Sequence, residues 1–245
     1  MMPFSPKPLA RLSTRPWGLS KEHCIRLNGL DLIPDLSGAL YVPDFNTLLI
    51  ADLHLEKASN MAKRGVHLPP YDTRASLAQL EAVMSETHPE QMIFLGDSFH
   101  DDGARERIAE ADLARLRVIT ARADTIWITG NHDPHPPTDI GGRIAGEVAL
   151  GGVTLRHEPK PLGSEEFEIA GHLHPGSAVS QRGKRIHCKC FIGNAIRLIM
   201  PAFGSFTGGL SISAAPFKNL FTEKDFHVWM LGDRAIYKFP AKRVR

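Results

Sequence analysis

Four short polar motifs follow one another along the chain, and a single histidine stands between the last two. They are Asp52-Leu53-His54, Gly96-Asp97, Gly130-Asn131-His132-Asp133, His157 and Gly171-His172-Leu173-His174. Carboxylates, imidazoles and an amide are donors that can hold divalent cations, and two cations roughly 3.5–4 Å apart activate water and neutralise charge on a phosphate ester. The motifs therefore predict a two-metal site with phosphoesterase chemistry.

The tetrapeptide Gly130-Asn131-His132-Asp133 is the most informative of these motifs, because average residue usage makes it rare by chance in a chain of this length. The amide oxygen of Asn131 is a candidate neutral ligand, whereas His132 can face the substrate. We expect Asp133 to orient the His132 imidazole and to hold it protonated, since a nearby carboxylate favours the charged ring. His132 and Asp133 are thus the predicted catalytic residues.

The motifs share a setting, because each comes directly after an apolar run typical of a buried strand. Predicted strands over 47–51, 91–95 and 125–129 precede Asp52, Gly96-Asp97 and Gly130-Asn131, and runs over 153–156 and 167–170 precede His157 and Gly171-His172. Loops at strand ends are where a rigid scaffold usually presents functional groups. In a regular strand, Asp52 and His54 would share one face because they are two residues apart.

The segments between the first three predicted strands have the periodicity of helices. It predicts a helix from Asp72, the candidate N-cap, to about Thr87 and another from Ala104 to about Ala121. After residue 145, glycine turns indicate short strands. The expected fold is mixed α/β and α+β: two packed mixed sheets flanked by helices, a four-layer sandwich with the metal site at strand ends.

Length and composition favour one domain over residues 1–245. The chain is 42% apolar and 23% charged, with a net charge of +2, which is ordinary globular usage. We expect residues 1–22 to form an N-terminal extension and residues 238–245 a basic C-terminal tail, of which residues 241–245 are a frayed, soluble end. No signal peptide or membrane-spanning run is evident, and three cysteines show no pairing pattern, so a cytoplasmic location is expected.

Two of the cysteines, Cys188 and Cys190, are close enough in sequence to be considered as half of a zinc site. Their spacing is too short and no second cluster accompanies them. We interpret them as small apolar groups on one face of a strand over residues 186–192.

Basic residues are concentrated after the last motif. No acidic residue lies between Glu168 and Glu223, whereas Arg182, Lys184, Arg185, Lys189, Arg197 and Lys218 do. Because Lys and Arg attract polyanions, a nucleic acid such as DNA is a candidate substrate. The candidate substrate contacts are Arg64, Arg74, His100, Arg182, Lys184 and Arg185. The alternative for each is a solvated surface charge, and for residues 182–185 a basic hairpin tip.

The ordered motifs resemble the calcineurin-like metallophosphoesterase superfamily over roughly residues 45–210. The resemblance implies the calcineurin-like fold and two metal sites that share Asp97. It places one metal on Asp52, His54, Asp97 and His174, and the other on Asp97, Asn131, His157 and His172. It also gives His132 a role at the transition state or the leaving oxygen. His157 departs from the pattern, because Arg156 stands where the family usually has glycine.

Residues 51–57, 68–74, 96–101 and 201–204 resemble the bacterial DNA ligase-associated metallophosphoesterases. This narrower resemblance implies a manganese-dependent DNA endonuclease of the DNA damage response, associated with a DNA ligase, a helicase and an exonuclease. Residues 96–101 and 130–133 differ from the motifs of protein phosphatases, so a phosphoprotein substrate is not expected.

The predicted reaction is in-line attack of a metal-bridging hydroxide on a phosphodiester. Mixed nitrogen and oxygen donors suit Mn²⁺, Fe²⁺, Co²⁺ or Zn²⁺ better than Mg²⁺, and among these four the resemblance implies Mn²⁺. Two other functions remain open: a phosphodiesterase for small molecules or cyclic nucleotides, and a non-catalytic binding platform. The platform is less favoured, because it would not need a complete set of ligands.

Overall fold

The computed structural model describes residues 23–66, 69, 71–181, 184–221 and 225–244, so the predicted extension over 1–22 lies outside the described residues. The strands are β1 (Ile25–Leu27), β2 (Leu30–Pro34), β3 (Leu40–Val42), β4 (Thr47–Ile50), β5 (Gln91–Leu95), β6 (Asp124–Ile128), β7 (Arg143–Ala145), β8 (Glu147–Leu150), β9 (Val153–Arg156), β10 (Glu168–Ala170), β11 (Pro175–Gln181), β12 (Lys184–Gly193), β13 (Arg197–Ile199), β14 (Leu210–Ser211), β15 (His227–Leu231) and β16 (Ile236–Pro240). The helices are α1 (Lys57–Lys63), α2 (Asp72–Thr87), α3 (Ala104–Arg107), α4 (Glu110–Thr120) and α5 (Ala215–Leu220).

Two mixed sheets form the framework. The first has seven strands in the order β1-β2-β3-β4-β5-β6-β7, antiparallel up to β4 and parallel from β4 to β7. The second follows the path β14-β11-β12-β13-β10-β9-β8, with β15 paired to β12 and β16 to β15. Its strands β9, β10 and β13 are parallel. Parallel strands end at the same edge of a sheet, so each sheet gathers several loops at one edge.

Three apolar clusters separate the layers. One lies between the two sheets and combines Leu49 of β4 with Leu155 of β9. A second packs the other face of the first sheet, including Leu48, against α2 and α4. A third packs the second sheet against Phe217 of α5. Leu48 and Leu49 join different clusters because successive strand residues point to opposite faces. The layers run helices, sheet, sheet, helix, which confirms the predicted fold class.

The strands predicted before the motifs are present as β4, β5, β6, β9 and β10, with ends within one residue of the expected positions. The first predicted helix matches α2, but Asp72 does not cap it. The N-cap residue is Tyr71, and the Asp72 carboxylate accepts the Ala58 N–H at 2.8 Å, at the start of α1. The assignment of Asp72 as N-cap was wrong because its carboxylate accepts from Ala58, 14 residues earlier in the chain, instead of from its own helix.

The second predicted helix is broken into α3 and α4. Ile108 and Ala109 between them are extended, with ψ of 130° and 139°. The break redirects the chain so that Ala104 of α3, Ile108 and Leu113 of α4 all join the cluster beneath the first sheet. Burial of these side chains in the tertiary structure therefore favours two helices over one continuous helix. The periodicity of the segment does not reveal this effect.

The C-terminal residues are more ordered than expected. Residues 238–240 complete β16, Ala241–Arg243 form a short 3-10 helix, and Val244 is 8% exposed and belongs to the third cluster. The expectation of a frayed end is therefore wrong for residues 241–244. Cys188 and Cys190 both contact the third cluster, which confirms that the thiols share one face of β12. Among the described residues, no helix is long and apolar enough to cross a bilayer.

Candidate metal centre

The predicted metal-binding residues meet where strands of both sheets end. Asp52, Asp97 and Asn131 follow the parallel strands β4, β5 and β6 of the first sheet. His157 and His172 follow β9 and β10 of the second sheet, and His174 lies just before β11. All seven predicted ligands, including His54, are described, and the packing of the two sheets brings them together.

Three side chains form the first cluster. Asp52, His54 and His174 present ligand atoms within 4.8 Å of one another. Nε2 of His174 lies 3.2 Å from Nε2 of His54 and 3.2 Å from Oδ1 of Asp52. Asp97 adjoins the cluster, with Oδ2 at 3.8 Å from Nε2 of His54. This is the first of the two ligand sets that the resemblance implies.

The second cluster lies on the other side of Asp97. Asp97, His157 and His172 present ligand atoms within 4.8 Å of one another. Nε2 of His157 is 2.9 Å from Oδ1 of Asn131, 3.1 Å from Nδ1 of His172 and 3.4 Å from Oδ2 of Asp97. One oxygen of Asp97 therefore lies beside both clusters. The grouping matches the second implied set, whereas the binding of metal by these atoms stays a prediction.

One atom shows that the residues fit a cation. Oδ1 of Asp52 is buried and has no hydrogen-bond partner, while Oδ2 accepts the His172 N–H at 2.9 Å. A buried carboxylate oxygen without a partner is unfavourable, and a bound cation would satisfy it. The donors around it are imidazole nitrogens and carboxylate and amide oxygens, a mixture that suits Mn²⁺, Fe²⁺, Co²⁺ or Zn²⁺.

The backbone of the ligands is not that of a strand. Positive φ values occur at Asp52 (53°), His54 (46°), Asp97 (48°), His172 (67°) and His174 (44°). Asp52 and His54 are therefore not on one face of a regular strand, which was the condition under which their spacing would have placed them together. Left-handed residues alternate with leucines instead, and Leu53 packs into the second cluster of the core while Leu173 packs against the third. Such residues are rare outside glycine, and their strain is typical of functional sites.

Two glycines let the backbone pass close to the ligands. A Cβ atom at Gly96 would lie 2.5 Å from the ring of His157, and one at Gly130 would collide with the backbone and carboxylate of Asp97. The glycines in Gly96-Asp97 and Gly130-Asn131 are thus required for packing between loops.

Burial and neighbouring charges shift the pKa values of the predicted ligands in different directions. Burial, reinforced by His174, lowers the pKa of His54 to about 2, so its ring is neutral. Burial also lowers the pKa of His157, but Asp97 and Asp52 outweigh it and raise the value to about 9. For Asp97, burial raises the pKa, while the bond from His157 outweighs it and lowers the value to about 2. The metal-free centre therefore holds a protonated His157 beside an ionised Asp97.

The side chain of Asp133 is used differently from our prediction. Its carboxylate is buried and accepts backbone N–H groups of Asp97, Ser98, Phe99 and Gly130 at 2.8–3.1 Å. Burial raises its pKa to about 7, against those donors, which lower it. The Nδ1 atom of His132 instead lies 2.9 Å from the backbone oxygen of His100. The idea that Asp133 orients His132 is thus wrong, because the carboxylate is already occupied by the loop that carries Asp97.

His132 is exposed beside the first cluster. Its ring stacks on His100 with centroids 5.1 Å apart and contacts His54 edge to face at 5.2 Å. Nδ1 of His100 is 3.3 Å from Nδ1 of His54. His100, which we predicted as a substrate contact, therefore lies between a predicted ligand and the predicted catalytic histidine.

Lys57, which we did not predict as a functional residue, contributes positive charge here. Lys57 and Arg64 both lower the pKa of His100 electrostatically, after the larger effect of burial. Burial lowers the pKa of Lys189 to about 8. Lys57 also lowers this pKa, whereas Asp52 raises it. Lys57 belongs to the Asp52–Lys57 segment, so its place beside the first motif was the signal that could have identified it.

The other predicted substrate contacts are less close to the metal residues. Arg74 is 3.5 Å from Asp112 of α4, an ion pair between helices. Arg185 is exposed and pairs in register with Ser180, five residues along β11 from Pro175, or roughly 17 Å at the usual strand rise. Arg182 lies outside the described residues, and for Lys184 only the backbone is described. Substrate binding by these residues stays a prediction.

Two members of the basic stretch, the buried Arg197 and the half-buried Lys189, bond within the fold. Arg197 is 5% exposed and donates from Nε to Glu168, which is fully buried. Lys189 donates to the backbone oxygens of Ala202 and Gly204. These two cations stabilise the fold, so the charge available to a polyanion is smaller than the sequence indicates.

Comparison with known proteins agrees with this geometry. The family pattern of the calcineurin-like phosphoesterases matches residues 45–186. The crystal structure of the Pseudomonas putida nuclease MPE is 30% identical, with a TM-score of 0.70, and the match covers 88% of this chain and 98% of that chain. A phosphoesterase from E. coli, Yfce, is 14% identical with a TM-score of 0.40, over 79% of this chain and 97% of that one. Curated protein sequences contain no significant match. The family match spans more than half of the chain and includes all seven predicted ligands. The chain therefore belongs to the calcineurin-like phosphoesterases and is a metal-dependent phosphoesterase.

Proposed function

We propose that the chain is a dinuclear phosphodiesterase that cleaves DNA internally, with Mn²⁺ as its preferred metal. The observation that carries the proposal is the pair of ligand clusters that meet at Asp97, with Oδ2 at 3.8 Å from Nε2 of His54 and 3.4 Å from Nε2 of His157. A carboxylate in that position can serve two cations at once. Two bound cations would supply an activated water and neutralise charge on the phosphate oxygens.

The residues of the chain account for the remaining parts of the reaction. The carbonyl oxygen of His100 accepts from Nδ1 of His132, so Nε2 is the nitrogen that faces outward from this bond. In its imidazolium form this ring carries a second hydrogen on Nε2, which can donate to a phosphate oxygen or protonate the leaving oxygen. Lys57 and Arg64 add positive charge around His100 and favour the approach of an anion.

A polymeric substrate is supported by two further observations. Asn131 and His132 are exposed, so the catalytic side of the centre is accessible from solvent. The Pseudomonas putida protein of 30% identity is a nuclease. From the resemblance of residues 51–57, 68–74, 96–101 and 201–204 to the DNA ligase-associated metallophosphoesterases, we extend the proposal to DNA repair, in functional association with a DNA ligase, a helicase and an exonuclease.

The test uses a labelled DNA stem-loop and the matching linear duplex, each incubated with Mn²⁺, Fe²⁺, Co²⁺, Zn²⁺ or Mg²⁺. We expect internal cuts with Mn²⁺ and little cleavage with Mg²⁺. Asp97→Ala should abolish cleavage. Asp44→Ala, an exposed aspartate before β4 at the opposite end of that strand from Asp52, is the matched control and should cleave normally.

Two outcomes would overturn the proposal. Hydrolysis of cyclic nucleotides without cleavage of any DNA would assign the site to small phosphodiesters instead. Binding of DNA without hydrolysis under every metal would make the chain a binding platform. A third readout, the number of Mn²⁺ ions bound per chain, tests the dinuclear assignment separately, since one ion would contradict it.

A further inference from the structure

The loop that contains Phe206 follows the rim of the ligand cluster formed by Asp52, His54 and His174. At one end the Gly204 N–H donates to the backbone oxygen of Asp52 at 3.2 Å, and at the other the Leu210 N–H donates to that of His174 at 2.9 Å. Asp52 and His174 are both predicted ligands of the same cation. Residues 204–210, which we call the rim loop, therefore run from one ligand to another across the edge of the centre.

The rim loop is held from below. The Lys189 ammonium donates to the backbone oxygens of Ala202 and Gly204 at 2.8 and 3.0 Å and to Oγ1 of Thr207 at 3.0 Å. The Ser205 N–H donates to Oγ of Ser76 on α2 at 3.0 Å. All three donors of the lysine are used within this segment. These hydrogen bonds hold the backbone of the rim loop in one conformation.

Phe206 is the most exposed large apolar residue of the rim loop, in which Gly208, Gly209 and Leu210 are also exposed. Phe203 is 1% and Thr207 8% exposed, whereas Phe206 is 48% exposed. Its φ of 54° is left-handed, a conformation that costs free energy in a residue with a bulky side chain. The fold therefore maintains a large apolar ring in solvent, in a strained conformation, between two predicted ligands. Packing of the core does not account for that arrangement.

We propose that Phe206 stacks on an unpaired nucleobase next to the phosphodiester being cleaved. This inference rests on the proposed nuclease function. An exposed aromatic ring is the usual platform for an unpaired base, because every base offers an apolar face, and the rim loop that carries Phe206 is bonded at both ends to predicted ligands. The bases of a duplex already stack on one another, so their faces are not available to the ring.

The test compares two substrates of equal length and charge, an oligothymidylate and a strand of abasic tetrahydrofuran residues. For Phe206→Ala we expect kcat/KM on the oligothymidylate to fall roughly 5- to 100-fold, mainly through KM. The same change should leave kcat/KM on the abasic strand within about twofold of the wild type. Phe206→Trp should retain most of the activity on the oligothymidylate, because its ring also stacks.

Two controls separate stacking from a folding defect. Tyr237→Ala removes an aromatic ring that is 52% exposed on β16, and it should change neither rate. The Mn²⁺ content of Phe206→Ala should equal that of the wild type, which would show that the centre is intact.

The outcomes distinguish this inference from the proposed function. If the wild type cleaves oligothymidylate and Phe206→Ala cleaves it equally well, stacking is wrong, and the exposed ring is then available to a protein partner. Equal losses on both substrates would also overturn it, since the ring would not be reading a base. Failure of the wild type to cleave any DNA would overturn the nuclease function and the stacking together.

Discussion

The Nδ1 atom of His132 lies 2.9 Å from the backbone carbonyl oxygen of His100. Because a carbonyl oxygen only accepts, this contact assigns the hydrogen to Nδ1 and leaves Nε2 for the substrate. The two rings also stack at 5.1 Å. A backbone group, which no side-chain substitution removes, thus fixes the orientation of the predicted catalytic histidine.

Replacement of His132 should affect the chemical step more than metal binding. For His132→Asn we expect kcat on a phosphodiester to fall about 10²- to 10⁴-fold, the usual contribution of a positioned acid or base, with an unchanged Mn²⁺ content. His88→Asn is the matched control, because His88 is exposed, lies before β5 at the end away from the centre, and has a φ of 45° that asparagine tolerates. Normal turnover by His132→Asn would refute the assigned role.

Replacement of Asp133 should act through the metal. In Asp133→Asn one of the acceptor oxygens for the N–H groups of Asp97, Ser98 and Phe99 becomes a donor. We expect the Mn²⁺ concentration at half-maximal activity to rise about 10- to 100-fold, as for other partners of metal ligands, with kcat largely restored by excess Mn²⁺. Asp102→Asn, at an exposed neighbouring aspartate, should behave as the wild type. A loss of kcat that excess Mn²⁺ does not restore would instead indicate a catalytic role.

Metal binding should release a proton from His157. Its pKa is raised to about 9 in the metal-free protein, whereas that of His54 is lowered to about 2 and that of His172 is lowered by burial. Near pH 7.5 we expect about one proton to be released per His157 site filled, and Mn²⁺ affinity to rise as pH approaches 9. Calorimetric titration in buffers of different ionisation enthalpy measures this release. An apparent enthalpy that is independent of the buffer would contradict it.

The same histidine should make the metal-free protein sensitive to alkali. Its folded pKa lies above the unfolded value of 6.5, so the stabilisation is complete below pH 6.5 and is lost as the pH rises through about 9. The loss in the free energy of unfolding should be at most roughly 3 kcal/mol. Urea titrations of the metal-free chain at pH 6 and pH 9 measure it, and His157→Gln should remove most of the difference.

Arg197 should contribute to stability without contacting substrate. It pairs with the fully buried Glu168 and donates to the Leu220 backbone oxygen at 3.1 Å. For Arg197→Met we expect a loss of about 3–5 kcal/mol in the free energy of unfolding, because the buried carboxylate loses its shortest ion pair and keeps only the longer contacts with Arg156 and the Lys160 N–H, at 3.5 and 3.2 Å. Arg26→Met breaks a surface pair with Asp31 in which Arg26 is 81% exposed, and it should cost less than about 1 kcal/mol. Comparable losses in the two variants would contradict the distinction.

The positions of the ligands were predictable because they depend on local patterns. Apolar runs identify β4, β5 and β6, and a motif that follows a strand must lie at the end of that strand. Polar partners were not predictable in the same way. Asp133 and Asp72 accept backbone N–H groups from other loops, and their sequence neighbours contain no sign of those donors.

Buried charge was the other difficulty. Lys189 and Arg197 look like parts of a basic surface in a stretch without acidic residues. Only the tertiary structure shows that Glu168 lies next to Arg197 and that carbonyl oxygens surround the ammonium of Lys189. A count of charges along the chain does not separate cations that meet solvent from cations that are enclosed by the fold.

The left-handed backbone at five predicted ligands sets function against stability. A glycine at His54 would lose an imidazole but relieve the strain of a φ of 46°. Without metal, that relief should offset part of the cost of the cavity left by the buried ring, so the variant should lose less stability than most large-to-small substitutions of buried residues. Part of the folding free energy of the chain is thus given up to hold five predicted ligands in position.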